Sequence, residues 1–393
     1  MIYNMVDYLS FIQFQKFSRK KDHAFPASEI HKNQNLSKDS LHSSSYDTFE
    51  FNLKELTLEI TKKCPLRCLH CSSNGGDPFS HELPLGSWKR IIDDATKLGV
   101  KTVILSGGEP FETPLLYSIC HYLVKKKLNI HVYTSGNIRR GKLLTIGRDR
   151  LLLLKNVPVN KMMVSIYAPD SVIHDRITGV PGSFNNTITT IKDAVRVGLE
   201  TELHFVPMKF NWSSIQDIMS LAVRLGVNCV SVLRFVPQGR GKINQNFLEL
   251  ESRELLAFKN VLGESKYEYG SKLRIGTPFN ALIPQGYAFC TAGLNRATIS
   301  ADGRVSPCEA MKELAYNFPD NDISNLSFKE IWEKSLFFQK VRKFKEMISK
   351  SPCAECNRFL ECRGGCPAQR LASPVSLEDN VDPICMIKAI QRV

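Results

Sequence analysis

The sequence predicts an α/β protein, a partial (β/α)6 barrel of the TIM type followed by a small cysteine-rich C-terminal domain. Two observations carry this prediction. Between residues 53 and 241, six strand-like segments alternate with helix-like segments, and after about residue 275 the alternation gives way to short elements and seven cysteines. Strand–helix alternation is typical of a parallel sheet, and six units are fewer than the eight of a closed barrel.

The predicted elements follow one another in chain order. The strands are ELTLEI, KTVILSGGEP, NIHVYTSGN, KMMVSIYAP, ETELHFVPMK and NCVSVLRFVPQGRG, and the helices between them are SWKRIIDDATKLG, PLLYSICHYLVKKK, KLLTIGRDRLLLLKN, SFNNTITTIKDAVRVG and SSIQDIMSLAVRLG. Three helices end at Gly99, Gly198 and Gly226, where a left-handed glycine closes the last turn. The near-continuous apolar strands predict a sheet that is buried on both faces.

Three segments are predicted along the chain. Residues 1–50 are polar, rich in Ser, His and Lys and without periodicity, which predicts a flexible segment. Residues 51–275 form the predicted barrel and residues 276–393 the second domain.

No apolar run is long enough to cross a bilayer, and the N-terminus has its apolar part before its basic part, the reverse of a secretory signal. We therefore expect a cytoplasmic protein without a membrane partner.

Charge and cysteine content narrow the class of partner. The net charge is +13, but Lys and Arg are scattered, which favours a solvated basic surface over nucleic-acid binding and leaves an acidic peptide substrate open.

Ten of the twelve cysteines are clustered, and clustered thiols in a reducing compartment indicate metal or iron–sulfur ligation. Cys120 is predicted to be a core thiol. Cys229 is predicted to be a buried structural cysteine, with a position facing the barrel interior as the alternative.

Cys64, Cys68 and Cys71 follow the first strand in a C-x3-C-x2-C spacing. The polar loops that follow the first four strands are expected to meet at one mouth, because the carboxyl ends of parallel strands lie at the same edge. Three thiolates would leave one corner of a four-iron cluster open. A zinc loop is the alternative, although zinc normally takes a closed set of four ligands.

With the segment SGGEP after the second strand, this loop resembles the radical S-adenosylmethionine (SAM) superfamily. The resemblance implies a four-iron (4Fe–4S) cluster on the three catalytic cysteines, with SAM at its open corner, and a 5′-deoxyadenosyl radical that abstracts hydrogen from a substrate. It implies that Gly107 and Gly108 admit the methionyl amine and that Glu109 is its anionic partner. Asn137, Ser165 and Arg176 are further implied SAM contacts. Their alternatives are ordinary strand-end polar residues and, for Arg176, a structural salt bridge.

The C-terminal cysteines form a second pattern, C-x12-G-x4-C, C-x2-C-x5-C-x3-C and a last C, with Gly303 as the glycine. This pattern resembles the SPASM domain of radical SAM enzymes that mature peptides, proteins and redox cofactors. The resemblance implies two auxiliary 4Fe–4S clusters, one on Cys353, Cys356, Cys362 and Cys385 and an inner one on Cys290, Cys308 and Cys366. The inner cluster lacks a fourth cysteine, so a substrate group or another residue would complete it. A zinc site is the alternative, and seven cysteines fit it poorly.

These resemblances imply a radical SAM enzyme that cross-links, epimerises or oxidises a ribosomally made peptide or protein, with the auxiliary clusters transferring electrons or binding substrate. An electron donor such as flavodoxin or ferredoxin is the implied partner. A small-molecule oxidoreductase of the tetrapyrrole or sugar-alcohol type is one alternative, and a non-enzymatic iron–sulfur electron carrier is another. Arg234, Gln238 and Arg240, at the end of the sixth strand, are expected either to contact a substrate carboxylate or to form a turn with solvated arginines.

Overall fold

A computed structural model describes residues 51–76, 79, 81–376 and 379–391. The flexible segment predicted for residues 1–50 lies outside the described residues. The strands are β1 (Glu55–Glu59), β2 (Thr102–Ser106), β3 (Asn129–Thr134), β4 (Asn137–Arg140), β5 (Lys142–Thr145), β6 (Lys161–Ser165), β7 (Thr201–Phe205), β8 (Cys229–Val232), β9 (Leu273–Ile275), β10 (Arg296–Ile299) and β11 (Val305–Ser306). The six predicted strands β1, β2, β3, β6, β7 and β8 lie side by side in chain order and are parallel. The predicted α/β fold is thereby confirmed.

The main sheet is larger than six strands. β9 adds a parallel strand beside β8, and β10 pairs in parallel with the opposite edge strand, β1. β11 follows as an antiparallel outer strand. Strands that come from the cysteine-rich region therefore extend the barrel sheet itself.

Helices cover the convex side of the sheet and build the C-terminal region. They are α1 (Leu85–Lys97), α2 (Leu115–Lys125), α3 (Arg148–Asn156), α4 (Ser171–Thr178), α5 (Ser183–Arg196), α6 (Ile215–Leu225), α7 (Arg240–Ile243), α8 (Gln245–Leu248), α9 (Ser252–Tyr269), α10 (Lys312–Ala315), α11 (Phe328–Lys334), α12 (Leu336–Arg342), α13 (Phe344–Ile348), α14 (Phe359–Cys362), α15 (Pro367–Leu371) and α16 (Met386–Gln391). The glycines after α1, α5 and α6 have φ of 90°, 75° and 71°, as predicted. Within the described ranges, no helix combines the length and the apolar character that a membrane span requires.

The helix predicted for residues 142–156 is only partly present. Its first four residues form β5, which pairs with β4 in a separate two-stranded hairpin, and the helix α3 begins at Arg148. Two glycines explain the difference, because Gly141 (φ 74°) makes the hairpin turn and Gly147 (φ 84°) interrupts the chain before the helix. The hairpin lies directly after the third barrel strand.

Both faces of the sheet are largely buried, as predicted, but only the convex face is apolar. Residues on the convex face, such as Leu56, Val132 and Leu203, are fully buried against the helices. The alternate positions on the same strands carry polar side chains, among them Glu59 and Glu202. Because successive side chains of a strand point to opposite faces, the barrel has an apolar outer layer and a polar interior.

Candidate active site

The loop that carries the first three cysteines is held from two sides. The main-chain nitrogens of Arg67 and Leu69 donate hydrogen bonds of 2.9 Å to the carbonyl groups at the end of α4. From the opposite side, Arg240 donates to the carbonyl oxygens of Cys68 (3.0 Å) and Gly75 (2.9 Å). The loop is therefore fixed by elements that follow the fourth and sixth predicted strands.

The three thiols lie close enough to interact electrostatically, and each cysteine is partly buried. Burial raises the pKa of Cys64 to about 12, and the nearby charges of Glu109 and Cys71 raise it further. Burial, together with Cys64 and Cys71, raises the pKa of Cys68 well above its usual range. Such thiols stay protonated without a cation, so the arrangement suits a metal cluster that binds thiolates and compensates their charge.

Gly75 packs directly against two of the three cysteines. Its main-chain nitrogen donates to Sγ of Cys71 (3.3 Å). A Cβ atom at this position would lie 3.1 Å from Cα of Gly108 and 3.4 Å from Cβ of Cys64. The backbone at Gly75 therefore packs tightly between the cysteine group and the SGGEP segment, with little space for a side chain.

The SGGEP segment is hydrogen-bonded directly to the residues that precede Cys64. The nitrogen of Gly108 donates to the carbonyl of Thr61 (2.6 Å) and that of Glu109 to the carbonyl of Lys63 (2.7 Å). A Cβ at Gly107 would lie 2.2 Å from the Thr61 oxygen. Both glycines are thus needed for the close approach of the two loops, a reason that the sequence alone did not indicate.

Glu109 is fully buried, and residues at the end of β3 donate hydrogen bonds to its carboxylate. It accepts hydrogen bonds from Oγ1 of Thr134 (2.8 Å) and from the nitrogen (2.8 Å) and hydroxyl (2.7 Å) of Ser135. Burial raises the pKa of Glu109 to about 7 although these hydrogen bonds lower it. The carboxyl group therefore connects the loops after β2 and β3.

Asn137 and Ser165 lie at the ends of neighbouring strands of the mouth. The amide nitrogen of Asn137 donates to Oγ1 of Thr187 (2.9 Å), whereas its Oδ1 is buried without a hydrogen-bond partner among the described residues. Ser165 lies near the hydroxyl of Tyr167, whose ring centroid lies 4.4 Å from that of His70. Nδ1 of His70 is likewise buried and unpaired within the described part of the chain. Unpaired acceptors of this kind are suited to a polar ligand.

Arg176 lies apart from this group. It is exposed on α4, and its guanidinium lies 4.5 Å from the centroid of the Phe210 ring. Arg176 forms no ion pair with a described residue, so the alternative of a structural salt bridge finds no support there.

The expected turn with solvated arginines is wrong for the loop after the sixth strand. Arg234 is buried in an ion pair with Asp382 (2.8 Å). Gln238 donates to the carbonyl of Glu309 (3.1 Å) and accepts from the nitrogen of Glu313 (2.9 Å). Instead of forming a solvated turn, Arg234 and Gln238 connect the barrel to the C-terminal region, and Arg240 fixes the cysteine loop.

Six of the seven C-terminal cysteines come together in two groups, and no thiol contact of Cys356 with either group is seen among the described residues. Cys290, Cys308 and Cys366 pack around one small apolar cluster that contains Met311 and Phe337. In the other group, the charges of Cys353 and Cys385 raise the pKa of Cys362, after the larger effect of burial. No three His, Cys, Asp or Glu side chains of the described residues are arranged to hold a single metal ion.

A buried ion pair joins these regions at the mouth. Nζ of Lys312, on α10, lies 2.5 Å from Oε1 of Glu59 and 3.3 Å from the hydroxyl of Ser72. Ser73 also donates to Glu59 (2.7 Å). This pair was not predicted from the sequence, although Glu59, the second acidic residue of ELTLEI, was a signal.

The barrel interior holds a second polar network that sequence reasoning missed. Glu202 accepts hydrogen bonds from Ser231 (2.5 Å) and Lys161 (3.1 Å), and it is paired with His204 (2.8 Å). His204 also contacts the hydroxyl of Tyr133. The alternation of polar residues in ETELHF was the available signal. Cys229 faces this interior, half-buried at the start of β8, whereas Cys120 is a core thiol as predicted.

Comparison with known families agrees with this geometry. Residues 58–222 match the model of the radical SAM superfamily. These residues form a radical SAM domain. Residues 290–357 match SPASM, an iron–sulfur-cluster-binding domain, so the predicted second domain type is also confirmed.

Relatives of two kinds are among the matches. The AdoMet-dependent heme synthase of Methanosarcina barkeri is 26% identical over 352 residues, which cover 84% of this chain and 95% of the relative. The PqqA peptide cyclase of Ruegeria pomeroyi is 27% identical over 348 residues, 83% of this chain and 85% of the relative. Among solved structures, Streptococcus suis SuiB bound to its precursor peptide SuiA superposes with a TM-score of 0.68 at 19% identity, over 85% of this chain and 76% of SuiB. This last similarity establishes the shared fold.

Proposed function

We propose that this radical SAM enzyme binds a 4Fe–4S cluster on Cys64, Cys68 and Cys71 and modifies a ribosomally made peptide or protein. The observation that carries the proposal is the direct joining of the cysteine loop to the SGGEP segment, through the hydrogen bonds of Gly108 and Glu109. When bound, the cluster and SAM supply a 5′-deoxyadenosyl radical, which abstracts a hydrogen atom from the substrate.

The chain's own residues hold and orient these groups. The unpaired oxygen of Asn137 and the unpaired nitrogen of His70 offer buried hydrogen-bonding positions to SAM. Glu109 fixes the relative position of two loops at the mouth. Ser165 lies near Tyr167, and the Tyr167 ring packs against His70 of the cysteine loop. Arg176, exposed and outside this group, is the least supported of the proposed SAM contacts.

The C-terminal region supplies the rest of the redox machinery in this proposal. One auxiliary cluster is assigned to Cys353, Cys356, Cys362 and Cys385, and the inner cluster to the group around Met311. The ion pair between Lys312 and Glu59 supports electron exchange with the barrel, because it brings the helix after Cys308 against the first cysteine loop.

The substrate class rests on the relatives. Similarity to PqqA peptide cyclases over most of both chains supports a peptide substrate, as does the SPASM resemblance. The second candidate is a small molecule, a tetrapyrrole, which similarity to the heme synthases supports at almost equal identity.

The test measures 5′-deoxyadenosine released from SAM by the anaerobically reconstituted chain, with dithionite as reductant. We expect release by the wild type and none by a variant with Cys64→Ala, Cys68→Ala and Cys71→Ala. Short peptides encoded beside the gene, and separately a tetrapyrrole, are then added. The compound that accelerates release and changes in mass identifies the substrate class. A fully loaded wild type that releases no 5′-deoxyadenosine would instead be an electron carrier.

A further inference from the structure

Tyr133, His204 and Glu202, hereafter the triad, are joined by hydrogen bonds in the barrel interior, and the proposed function does not yet use them. The hydroxyl of Tyr133 contacts Nδ1 of His204, and Nε2 of His204 lies 2.8 Å from Oε1 of Glu202. A phenol, an imidazole and a carboxylate thus follow one another between β3 and β7. In such a series the imidazole can accept a proton while the carboxylate stabilises the charge that forms.

The carboxylate end of the triad is held as an anion. Glu202 accepts a hydrogen bond from Ser231 (2.5 Å) and pairs with Arg274. Burial raises the pKa of Glu202, but the hydrogen bonds and charges of His204, Ser231 and Arg274 outweigh this effect and hold the pKa well below its usual range. An anionic Glu202 accepts the proton on Nε2 of His204, so Nδ1 is left as the acceptor for the Tyr133 hydroxyl.

The imidazole of the triad is buried and neutral. Burial lowers the pKa of His204, the hydrogen bond and charge of Glu202 oppose this effect, and the charges of Arg274 and Lys161 add to it. Lys161 also donates to the second oxygen of Glu202 (3.1 Å). A neutral imidazole whose Nδ1 faces a phenol has a free capacity for one more proton.

Tyr133 is the accessible member of the triad. Its side chain is half-buried, whereas those of His204 and Glu202 are buried. It points into the barrel, because its neighbour Val132 is fully buried on the convex face and successive side chains of a strand alternate. Burial of the hydroxyl, followed by the charge of Glu309, raises the pKa of Tyr133, so the phenol stays protonated and donates. A ligand in the barrel interior would therefore meet this phenol rather than the imidazole or the carboxylate.

The triad borders the residues that the proposed function assigns to SAM. His204 is the cross-strand partner of Ser165, one of the proposed SAM contacts. Ser135, two residues after Tyr133, donates to the carboxylate of Glu109 through its nitrogen (2.8 Å) and its hydroxyl (2.7 Å). The substrate has to react beside the bound SAM, so both strands of the triad lead to the place of reaction.

A purely structural role fits the triad poorly. Burying an ion pair costs desolvation energy that apolar side chains of similar volume do not cost, so stability alone does not favour Glu202 in this interior. Arg234 and Asp382 form a pair of the structural kind, in which both side chains are enclosed. The triad instead ends at a half-exposed hydroxyl, the position from which it can act on a ligand.

We propose that Tyr133 is a general base of the modification reaction, with His204 as the proton acceptor behind it and Glu202 as the counter-charge. An N–H, O–H or C–H bond of the substrate breaks, its proton passes to the Tyr133 oxygen, and the phenol proton passes to Nδ1 of His204. The electron pair of the broken bond stays on the substrate, so the transfer changes no oxidation state. The inference rests on the proposed function, because loss of a hydrogen atom makes the substrate a stronger acid at the neighbouring position.

The first measurement needs no substrate. Histidine labelled with ¹⁵N is incorporated into the holoenzyme, and the His204 signals are assigned as those lost in His204→Gln. At neutral pH we expect one proton, on Nε2, and a shift of the Nδ1 resonance in Tyr133→Phe, because that nitrogen loses its donor. A His204 that carries a proton on Nδ1 would leave the phenol without an acceptor and would overturn the proposal.

The second measurement uses the anaerobically reconstituted holoenzyme with SAM and dithionite. The probes are the short peptides encoded beside the gene and, separately, a tetrapyrrole. The quantity measured is the amount of modified probe per 5′-deoxyadenosine released. We expect Tyr133→Phe to lower this ratio by about 100-fold or more, since hydrogen abstraction no longer leads to proton loss. The matched control is Tyr117→Phe, which removes a hydroxyl that donates to the Arg150 carbonyl (3.4 Å) and should leave the ratio unchanged.

The ratio separates a base from a residue that only supports the fold. An equal fall of modified probe and 5′-deoxyadenosine in Tyr133→Phe, with the ratio unchanged, would indicate impaired binding or folding and would overturn the proposal. An unchanged ratio at the wild-type rate would overturn it as well, as would an equal fall of the ratio in the control. A wild type that releases no 5′-deoxyadenosine with dithionite would count against the proposed function, and the protonation of His204 would still test the triad.

Discussion

Nζ of Lys312 and Oε1 of Glu59 lie 2.5 Å apart in an ion pair that is buried on both sides. The two residues are separated by 253 positions in the sequence. Glu59 ends β1, immediately before the first cysteine loop, and Lys312 begins α10, shortly after Cys308. The pair therefore links the loop of the catalytic cysteines to the C-terminal cysteines through two side chains.

Replacing Lys312 with methionine should destabilise the protein strongly, because it leaves the carboxylate of Glu59 buried without its cation. Loss of one partner of a buried pair costs about 3–5 kcal/mol. The urea midpoint of the anaerobic holoprotein measures the effect. The matched control is Lys97→Met, which removes an exposed pair with Asp94 and should cost at most about 1 kcal/mol.

Adding Glu59→Gln to the Lys312→Met variant should recover part of this loss, since the neutral amide no longer needs a cation. If the double variant were no more stable than Lys312→Met alone, the contribution would come from packing of the lysine rather than from its charge.

Glu109 predicts a pH dependence of stability. Its pKa in the folded state is raised to about 7 from an ordinary 4.5, because burial favours the neutral carboxyl group. The resulting stabilisation is complete below pH 4.5 and is lost as the pH rises through 7. The change is on the order of 3 kcal/mol. Urea midpoints at pH 5 and pH 8 should therefore differ more for the wild type than for Glu109→Gln.

An exposed glutamate provides the control for these urea midpoints. Glu268→Gln, at an exposed position of α9, should leave the wild-type pH profile unchanged. A parallel shift of the Glu109→Gln profile, with the same difference at both pH values, would contradict titration of Glu109 in this range.

Iron content tests the assignment of the cysteine groups. Three four-iron clusters predict roughly 12 iron atoms per chain in the reconstituted wild type and about 8 after Cys64, Cys68 and Cys71 are replaced by alanine. Iron and acid-labile sulfide are measured together after anaerobic reconstitution. About 4 iron atoms in the wild type and almost none in the variant would leave the C-terminal cysteines without iron, and zinc content would then be measured.

The sequence was sufficient for the parts of the fold that depend on local patterns. The period of apolar residues located the six parallel strands, and glycines at Gly99, Gly198 and Gly226 marked helix ends that the structure has. The cysteine spacings and the SGGEP segment predicted the superfamily for the same reason, since each is a pattern of a few neighbouring residues.

What the sequence could not predict depends on partners that are distant along the chain. Arg240 donates to the carbonyl of Cys68, 172 positions earlier, and no local pattern distinguishes such an arginine from a solvated one. The polar interior of the barrel was missed because each strand is short, so a single Glu or His interrupts an apolar run without revealing which face it occupies. The β4–β5 hairpin was missed because two leucines beside α3 matched a helical period that Gly147 interrupts.

Arg234 and Asp382 lead to the last prediction. Oδ2 of Asp382 accepts hydrogen bonds from Arg234 (2.8 Å) and from the main-chain nitrogen of Cys366 (2.5 Å), so one carboxylate fixes both the end of the barrel and a proposed ligand of the inner cluster. Asp382→Asn should leave Arg234 buried without its counter-charge, at a cost of about 3–5 kcal/mol. We expect iron content to fall by about 4 atoms per chain, with the signal of the catalytic cluster retained in electron paramagnetic resonance.

The control is Asp379→Asn, at an exposed position nearby, which should change neither the urea midpoint nor the iron content. Full iron content in Asp382→Asn together with a lowered urea midpoint would show that Asp382 stabilises the junction without positioning Cys366.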